Sequence, residues 1–135
     1  MSHSLQKAVI LLFSLLLLGA GGAGCSIRKL AMNRVADALS SGSGTFASDN
    51  DPELVGDALP FSLKLMESIL AETPRHEGLL TALGGGFTQY AYAFVQQQAE
   101  RVEDEDLDRA RELQLRARNL YLRGRDYALR GLEVR

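Results

Sequence analysis

Two apolar stripes of helical period, parted by a Thr73-Pro74 step, constrain this chain more than any other feature in it. Residues 51–98 read DPELVGDALPFSLKLMESILAETPRHEGLLTALGGGFTQYAYAFVQQQ. The first arm opens on Asp51, a good N-cap, with Pro52 suited to the first helical position and Glu53 near the positive end of the helix dipole. Val55, Leu59, Leu63, Met66, Ile69 and Leu70 follow mostly at three- and four-residue steps and so share a face. Thr73 is the predicted end, because a residue before proline is pushed out of the helical region. The second arm is predicted over residues 77–99, with Leu80, Leu83, Phe87, Tyr90, Ala91 and Phe94 in a narrow arc. Two amphipathic helices with a short joint should lie antiparallel and bury those stripes together.

Two places inside the arms break helical rules. Pro60 removes a hydrogen bond and clashes four residues back, at about 3 kcal/mol. Gly56 occupies that earlier position, so a kink, or a break near Ala58, is predicted. Gly84, Gly85 and Gly86 predict a distortion or a close approach to a neighbouring backbone. Lys64 falls opposite the stripe with Asp57, Glu67 and Ser68, where a solvated ion pair is the ordinary expectation and a partner contact the other. Tyr92, with Thr88, Gln89 and Gln96, also points away from the core stripe. An exposed tyrosine among glutamines suits a binding face, whereas burial under a third helical layer is the plainer expectation.

The remaining sequence extends the helical reading. Residues 27–39 read as a short helix with Ile27, Leu30, Ala31, Ala38 and Leu39 on a loose apolar face. Residues 40–50 (SSGSGTFASDN) form a turn-rich connector in which Phe46 is free to pack on the hairpin, or else a mobile linker. Residues 100–108 (ERVEDEDLD) make an acidic turn without the glycine and spaced ligands of a calcium loop; capping the next helix is its simpler use. A long helix is predicted over residues 107–132 with two apolar sides. One carries Ala110, Leu113, Ala117, Leu120, Tyr121, Gly124, Ala128 and Leu132, and the other Leu115, Leu122 and Leu129. A surface helix needs one apolar side, so the second calls for something packed on it. Leaving those leucines in water forgoes about 1.5–3 kcal/mol each.

The N-terminus reads as an address. Residues 8–18 are apolar apart from Ser14, small residues follow, and then comes the chain's one cysteine, Cys25. The apolar run is shorter than the roughly 18 residues of a spanning helix. Cys25 after Gly-Ala-Gly resembles a bacterial lipobox, which implies a lipidated (palmitate-bearing) N-terminus, and Ser26 resembles an outer-membrane sorting signal. Secretion as a soluble periplasmic protein with a free thiol is the alternative. One cysteine allows no internal disulfide, so packing must hold the fold.

The runs SGTFASDNDPELVGDALPFSLKLMESILAETP, GFTQYAYAFVQQQA and RARNLYLRGRDYALRGLE resemble the TRAP transporter T-component family, the TatT-type periplasmic lipoproteins. The resemblance implies an all-α fold of antiparallel hairpins, TPR-like and of α-solenoid type. It also implies a role beside a periplasmic solute-binding protein in TRAP-type uptake. Members are considerably longer, and further helical repeats are expected where this chain stops. The layout that follows is a signal peptide over residues 1–24, a helix and connector over 25–50 and a TPR-like helical domain over 51–135.

Catalytic chemistry has little to draw on. His76 is the one histidine after the signal segment, and there is no Cys/His cluster, HExxH, GxSxG elbow or phosphate loop. The expectation is a protein that is not an enzyme, with no cofactor, no metal and no nucleic-acid partner. Arg109, Arg111, Arg116, Arg118, Arg123, Arg125 and Arg130 spread around one helix among acids, as a solvated surface does. Candidate partner or ligand residues are Tyr92, Gln89, Gln96, Leu115, Leu122 and Leu129. The expected function is a scaffold, lipid-anchored at the periplasmic side of the outer membrane, that docks the solute-binding protein, with a homo-oligomer as one way to cover the leucine row. A carrier holding a hydrophobic small molecule in an apolar groove, or a truncated remnant of a longer family member, are the alternatives.

Overall fold

The computed structural model describes residues 27–42 and 48–135, and every element among them is helical. The signal segment, Cys25 and Phe46 lie outside the described residues. Helix α1 covers 27–41, α2 Pro52–Glu72 and α3 Glu77–Tyr90. A π-helical segment, Ala91–Gln96, carries α3 without a break into α4, Gln97–Val102, and α5 spans Leu107–Val134. Among the described residues no helix is long and apolar enough to cross a membrane.

The ends form as local chemistry dictates. The Asp51 carboxylate accepts from the Leu54 backbone N–H at 3.0 Å, with Pro52 next to it. Thr73 ends α2, its N–H bonded to Ile69 and Leu70 carbonyls, just before Pro74. Asp106 caps α5 by accepting from Arg109 N–H at 2.9 Å, so the acidic turn does the capping expected of it.

The stripes meet as predicted. Leu59, Leu63, Met66, Ile69 and Leu70 of α2 share one core with Leu79, Leu80, Leu83 and Phe87 of α3, and Ala36 of α1 closes it. A second cluster, Val95, Ala99, Leu113 and Ala117, joins the far end of the second arm to α5. Gly56 faces Phe94, and Leu63 faces Gly86, so α2 and the second arm run antiparallel. Gln96 meets Tyr121 and Glu77 meets Arg135, so α5 is antiparallel to the second arm as well.

Several expectations are corrected. Helix α2 runs through Pro60 with no break near Ala58. Gly56 serves a different purpose, because a Cβ there would lie 2.7 Å from the Phe94 ring. No interruption occurs at Gly84–Gly86: Gly84 makes the close approach to a neighbouring backbone that was the other expectation, at Ala128, Gly86 meets Leu63, Gly85 stands in open space, and the irregularity comes a turn later. Phe87, Ala91, Val95 and Ala99 are all buried, at steps of four. Each such step lags a regular helix by about 40°. The wider π turn takes up that lag, with Gln97 N–H reaching back to the Tyr92 carbonyl, and leaves Tyr90 and Phe94 half-buried. On α5, Leu132 is exposed and Gly131 takes the buried place. On α1 the buried side is Ala36, with Met32 and Leu39, while Ile27, Leu30, Ala31 and Ala38 face outward. Periodicity set the helix, but docking chose its inner side.

The second arm and α5 come closest at Gly84 and Gly124. A Cβ on Gly124 would stand 2.9 Å from the Gly84 carbonyl and 2.8 Å from Thr88 Oγ1. One of those atoms is backbone, so the neighbour cannot swing aside. Gly124→Ala should therefore cost about 1–3 kcal/mol, lowering the melting temperature by several degrees in thermal unfolding. Gly85, with nothing within 4 Å of its virtual Cβ, is the control. Gly85→Ala should hold or raise the melting temperature, since alanine is the better helix former by about 1 kcal/mol.

Candidate functional site

Helix α5 carries two rows at seven-residue spacing, Leu115–Leu122–Leu129 and, one residue on, Arg116–Arg123–Arg130. Seven residues are nearly two turns, so each row keeps to one side of the helix. The arginine row lies over aromatic faces. The guanidinium carbons of Arg116, Arg123 and Arg130 stand 5.9, 4.7 and 5.4 Å from the ring centres of Tyr90, Phe87 and Tyr127. Phe87 and Tyr127 stack at 5.9 Å, as do Tyr90 and Phe94 at 5.6 Å. Cations over ring faces are attracted by the ring quadrupole. Arg116 and Arg123 therefore cover aromatic residues of the second arm and Arg130 covers Tyr127 of α5 itself, so the three are more than the solvated surface expected of them.

Glu67 stands at the middle of the row. Its side chain is largely buried, and it takes three donors: Lys64 Nζ at 2.7 Å, the Tyr127 hydroxyl at 2.6 Å and the Arg123 guanidinium. Lys64 thus pairs with Glu67 as expected, but the carboxylate also ties α2 to α5. Burial alone would raise the Glu67 pKa; the bonds from Lys64, Tyr127 and Arg123 outweigh it and hold the carboxyl below its ordinary 4.5. Burial first, and then the Glu67 carboxylate, push the Tyr127 phenol above its ordinary 10.0.

The leucine row lies on the other flank. Leu115 is 61% exposed and Leu129 51%, so both stand wet, with Leu122 half-buried between them. Gln96 and Leu122 share an open groove of about 360 Å³ with Ala99, Glu100, Gln114, Ala117, Arg118 and Tyr121. The Tyr121 hydroxyl donates to Gln96 Oε1 at 2.7 Å, and Gln96 Nε2 donates to Glu100 at 3.0 Å. Burial, with Tyr92 and Glu100 nearby, raises the Tyr121 pKa. Tyr92 itself is 56% exposed, which corrects the expectation of burial under a third layer. The structure therefore gathers Gln96, Leu122 and Tyr92 around Tyr121. Leu115 and Leu129 flank that group two turns away in either direction, and Gln89 is exposed on α3 without lining the groove.

Sequence reasoning missed Glu67, Arg123 and Tyr127 as a set. The seven-residue recurrence of arginine beside an identical leucine recurrence was the available signal. Among the described residues no group of His, Cys, Asp and Glu side chains is placed to hold a metal ion. His76 has a structural place: its Nδ1 accepts from Leu79 N–H at 3.2 Å, and its Nε2 meets Asp37 of α1 at 3.1 Å.

Residues 48–135 match the family model of the TRAP transporter T-component. The chain belongs to that family. It is also similar to an uncharacterized protein of Treponema pallidum (strain Nichols), at 33% identity over 70% of this chain. The T-component chain spans 36% of that relative's length. No solved structure matches it. Both rows and Glu67 fall inside the part of the T-component chain that carries the family match.

The Glu67 cluster has a pH signature. With its folded pKa depressed, the carboxylate contributes stability that is present above the unfolded value of 4.5 and is lost as pH falls through the folded one. Glu67→Gln should cost about 1–3 kcal/mol at neutral pH. Urea unfolding at descending pH should show the wild type losing more stability than Glu67→Gln below 4.5, so that the two curves converge. Parallel curves would mean that the cluster does not hold the carboxylate charged.

Proposed function

We propose that the chain is a non-enzymatic helical scaffold on the periplasmic side of the outer membrane, accessory to a TRAP-type solute uptake system. In this reading it is anchored by lipid on Cys25 and docks the system's solute-binding protein. The family match over residues 48–135 carries the reading. It is supported by the wet leucines of α5 and by Tyr92, since an exposed row of large apolar side chains on one flank is what a docking helix offers. Cys25, following an apolar run, supports the anchor. A TPR-like arrangement fits the antiparallel arms, each helix packed on its sequence neighbour.

Capture from native envelope extract is the test. A tagged chain should retain a solute-binding subunit, and Leu115→Glu with Leu122→Glu should weaken that capture about tenfold or more. A leucine buried at an interface contributes about 1.5–3 kcal/mol, and 1.4 kcal/mol is a factor of ten. Retention of no such subunit would end the docking reading. Labelling with radioactive palmitate should be lost in Cys25→Ala, and an unlabelled wild type would end the anchor.

One observation favours a second reading, a carrier of a hydrophobic small molecule. Ala99, Ala117, Tyr121 and Leu122 give the groove an apolar and aromatic half, beside the polar Gln96, Glu100, Gln114 and Arg118. Native mass spectrometry of protein purified from membranes separates the two, an empty mass counting against the carrier.

A further inference from the structure

Helix α1 is turned inside out relative to its apolar pattern. Its inner side is Ala36, fully buried, with Met32 and Leu39 partly buried beside it. Its outward side is apolar as well, Ile27 at 66%, Leu30 at 60% and Val35 at 46% exposed, with Ala31 and Ala38 between them. A helix packed on one side should be polar on the other. Here the outward side carries Arg34, with Asp37 at its edge, two turns on from Leu30.

Charge sharpens the contrast. Of the chain's 17 acidic residues only Asp37 lies in α1, against Arg28, Lys29 and Arg34. Asp37 is engaged by His76, and Arg28 by Glu72 at 3.0 Å. Neither Lys29 nor Arg34 has a carboxylate within ion-pair distance among the described residues, whereas most exposed cations of α5 pair with acids. The result is a short cationic, apolar-faced helix on a body in which acids outnumber bases, reached in sequence directly after the apolar run and Cys25.

We propose that the outer face of α1 lies on an anionic phospholipid surface, with Ile27, Leu30 and Val35 in the headgroup layer and Arg34 among the phosphates. Large apolar side chains with basic neighbours are the composition that such a surface binds, through apolar burial together with attraction to anionic lipid. A protein partner would find the same apolar residues, but the unpaired Arg34 among them, on a helix that follows Cys25 directly, specifies a negative surface. The inference rests on the anchored reading above and extends it: the anchor brings the domain to the bilayer, and α1 sets which side faces it. The α5 rows are then left to the aqueous side.

The chain contains no tryptophan, so single-tryptophan variants report cleanly. Full-length Leu30→Trp and Leu129→Trp proteins are reconstituted with vesicles of phosphatidylglycerol and phosphatidylcholine, and with phosphatidylcholine alone. Leu30 is exposed, so the substitution leaves the core untouched. In the anionic vesicles, the indole fluorescence of the Leu30→Trp protein should shift to the blue and be quenched severalfold by brominated lipid. It should be quenched much less in the neutral ones, and the Leu129→Trp protein in neither. Adding Arg34→Glu should remove most of that quenching. If the protein floats with vesicles while Leu30→Trp emits as in water, the inference falls and anchoring stands. Failure to float with either vesicle overturns both. A blue shift that grows with protein concentration in the absence of vesicles also overturns the inference, since a second copy would then cover the face.

Discussion

Two glycines set the spacing on which this fold depends. Gly84 and Gly124 let the backbones of the second arm and α5 meet, and Ala128 continues the contact one turn on. At that closest approach only small residues fit, and the seam runs through Gly84, Gly124, Gly131, Ala117 and Ala99, with Leu113 and Val95 filling its far end. Leu113 apart, most long side chains of α5 are displaced to the flanks of the seam. On one flank they become arginines over aromatic rings, and on the other a row of leucines in water. Both surfaces of functional interest follow from one close approach.

The Glu67 cluster works against a cost that the seam imposes. Bringing α5 against the hairpin takes a carboxylate from α2 largely out of water, which by itself is unfavourable. Three donors from two helices satisfy it, and no buried side-chain nitrogen or oxygen among the described residues lacks a partner. The cluster ties the first arm to the last helix, a link that apolar packing alone would leave free to slide. The π turn performs a comparable service in the second arm. By absorbing the lag of the four-residue steps, it keeps Val95 and Ala99 on α5 and still delivers Phe94 to Gly56. Tyr92, on the same turn, is directed outward beside the groove.

The functional surfaces are distributed by this arrangement. The chain belongs to the TRAP transporter T-component family over residues 48–135, the part that holds the helical hairpin and α5. The chain presents three such surfaces: the arginine row, the leucine row with Tyr92, and the outward side of α1. The first is satisfied internally by aromatic rings and Glu67, and the other two are not. Unsatisfied apolar surface on a domain of this size marks where something else belongs.

What the sequence determined by itself was local. Asp51 and Asp106 cap their helices, Pro74 stops α2, and the stripe from Leu59 to Leu70 faces the core, because each depends on neighbours within a turn or two. The exposed leucine row was legible too, since a heptad needs only the geometry of one helix. Everything that depended on a second backbone was decided by the tertiary structure. At Pro60 a kink, or a break near Ala58, was expected; the helix runs on without a break, and Gly56 proved to make room for Phe94. The inner side of α1, the outward turn of Tyr92 and the convergence of Lys64, Glu67, Arg123 and Tyr127 join residues that no single helical period relates. Period specifies which residues share a face, but the distance of closest approach specifies which face is buried, and here two glycines set that distance.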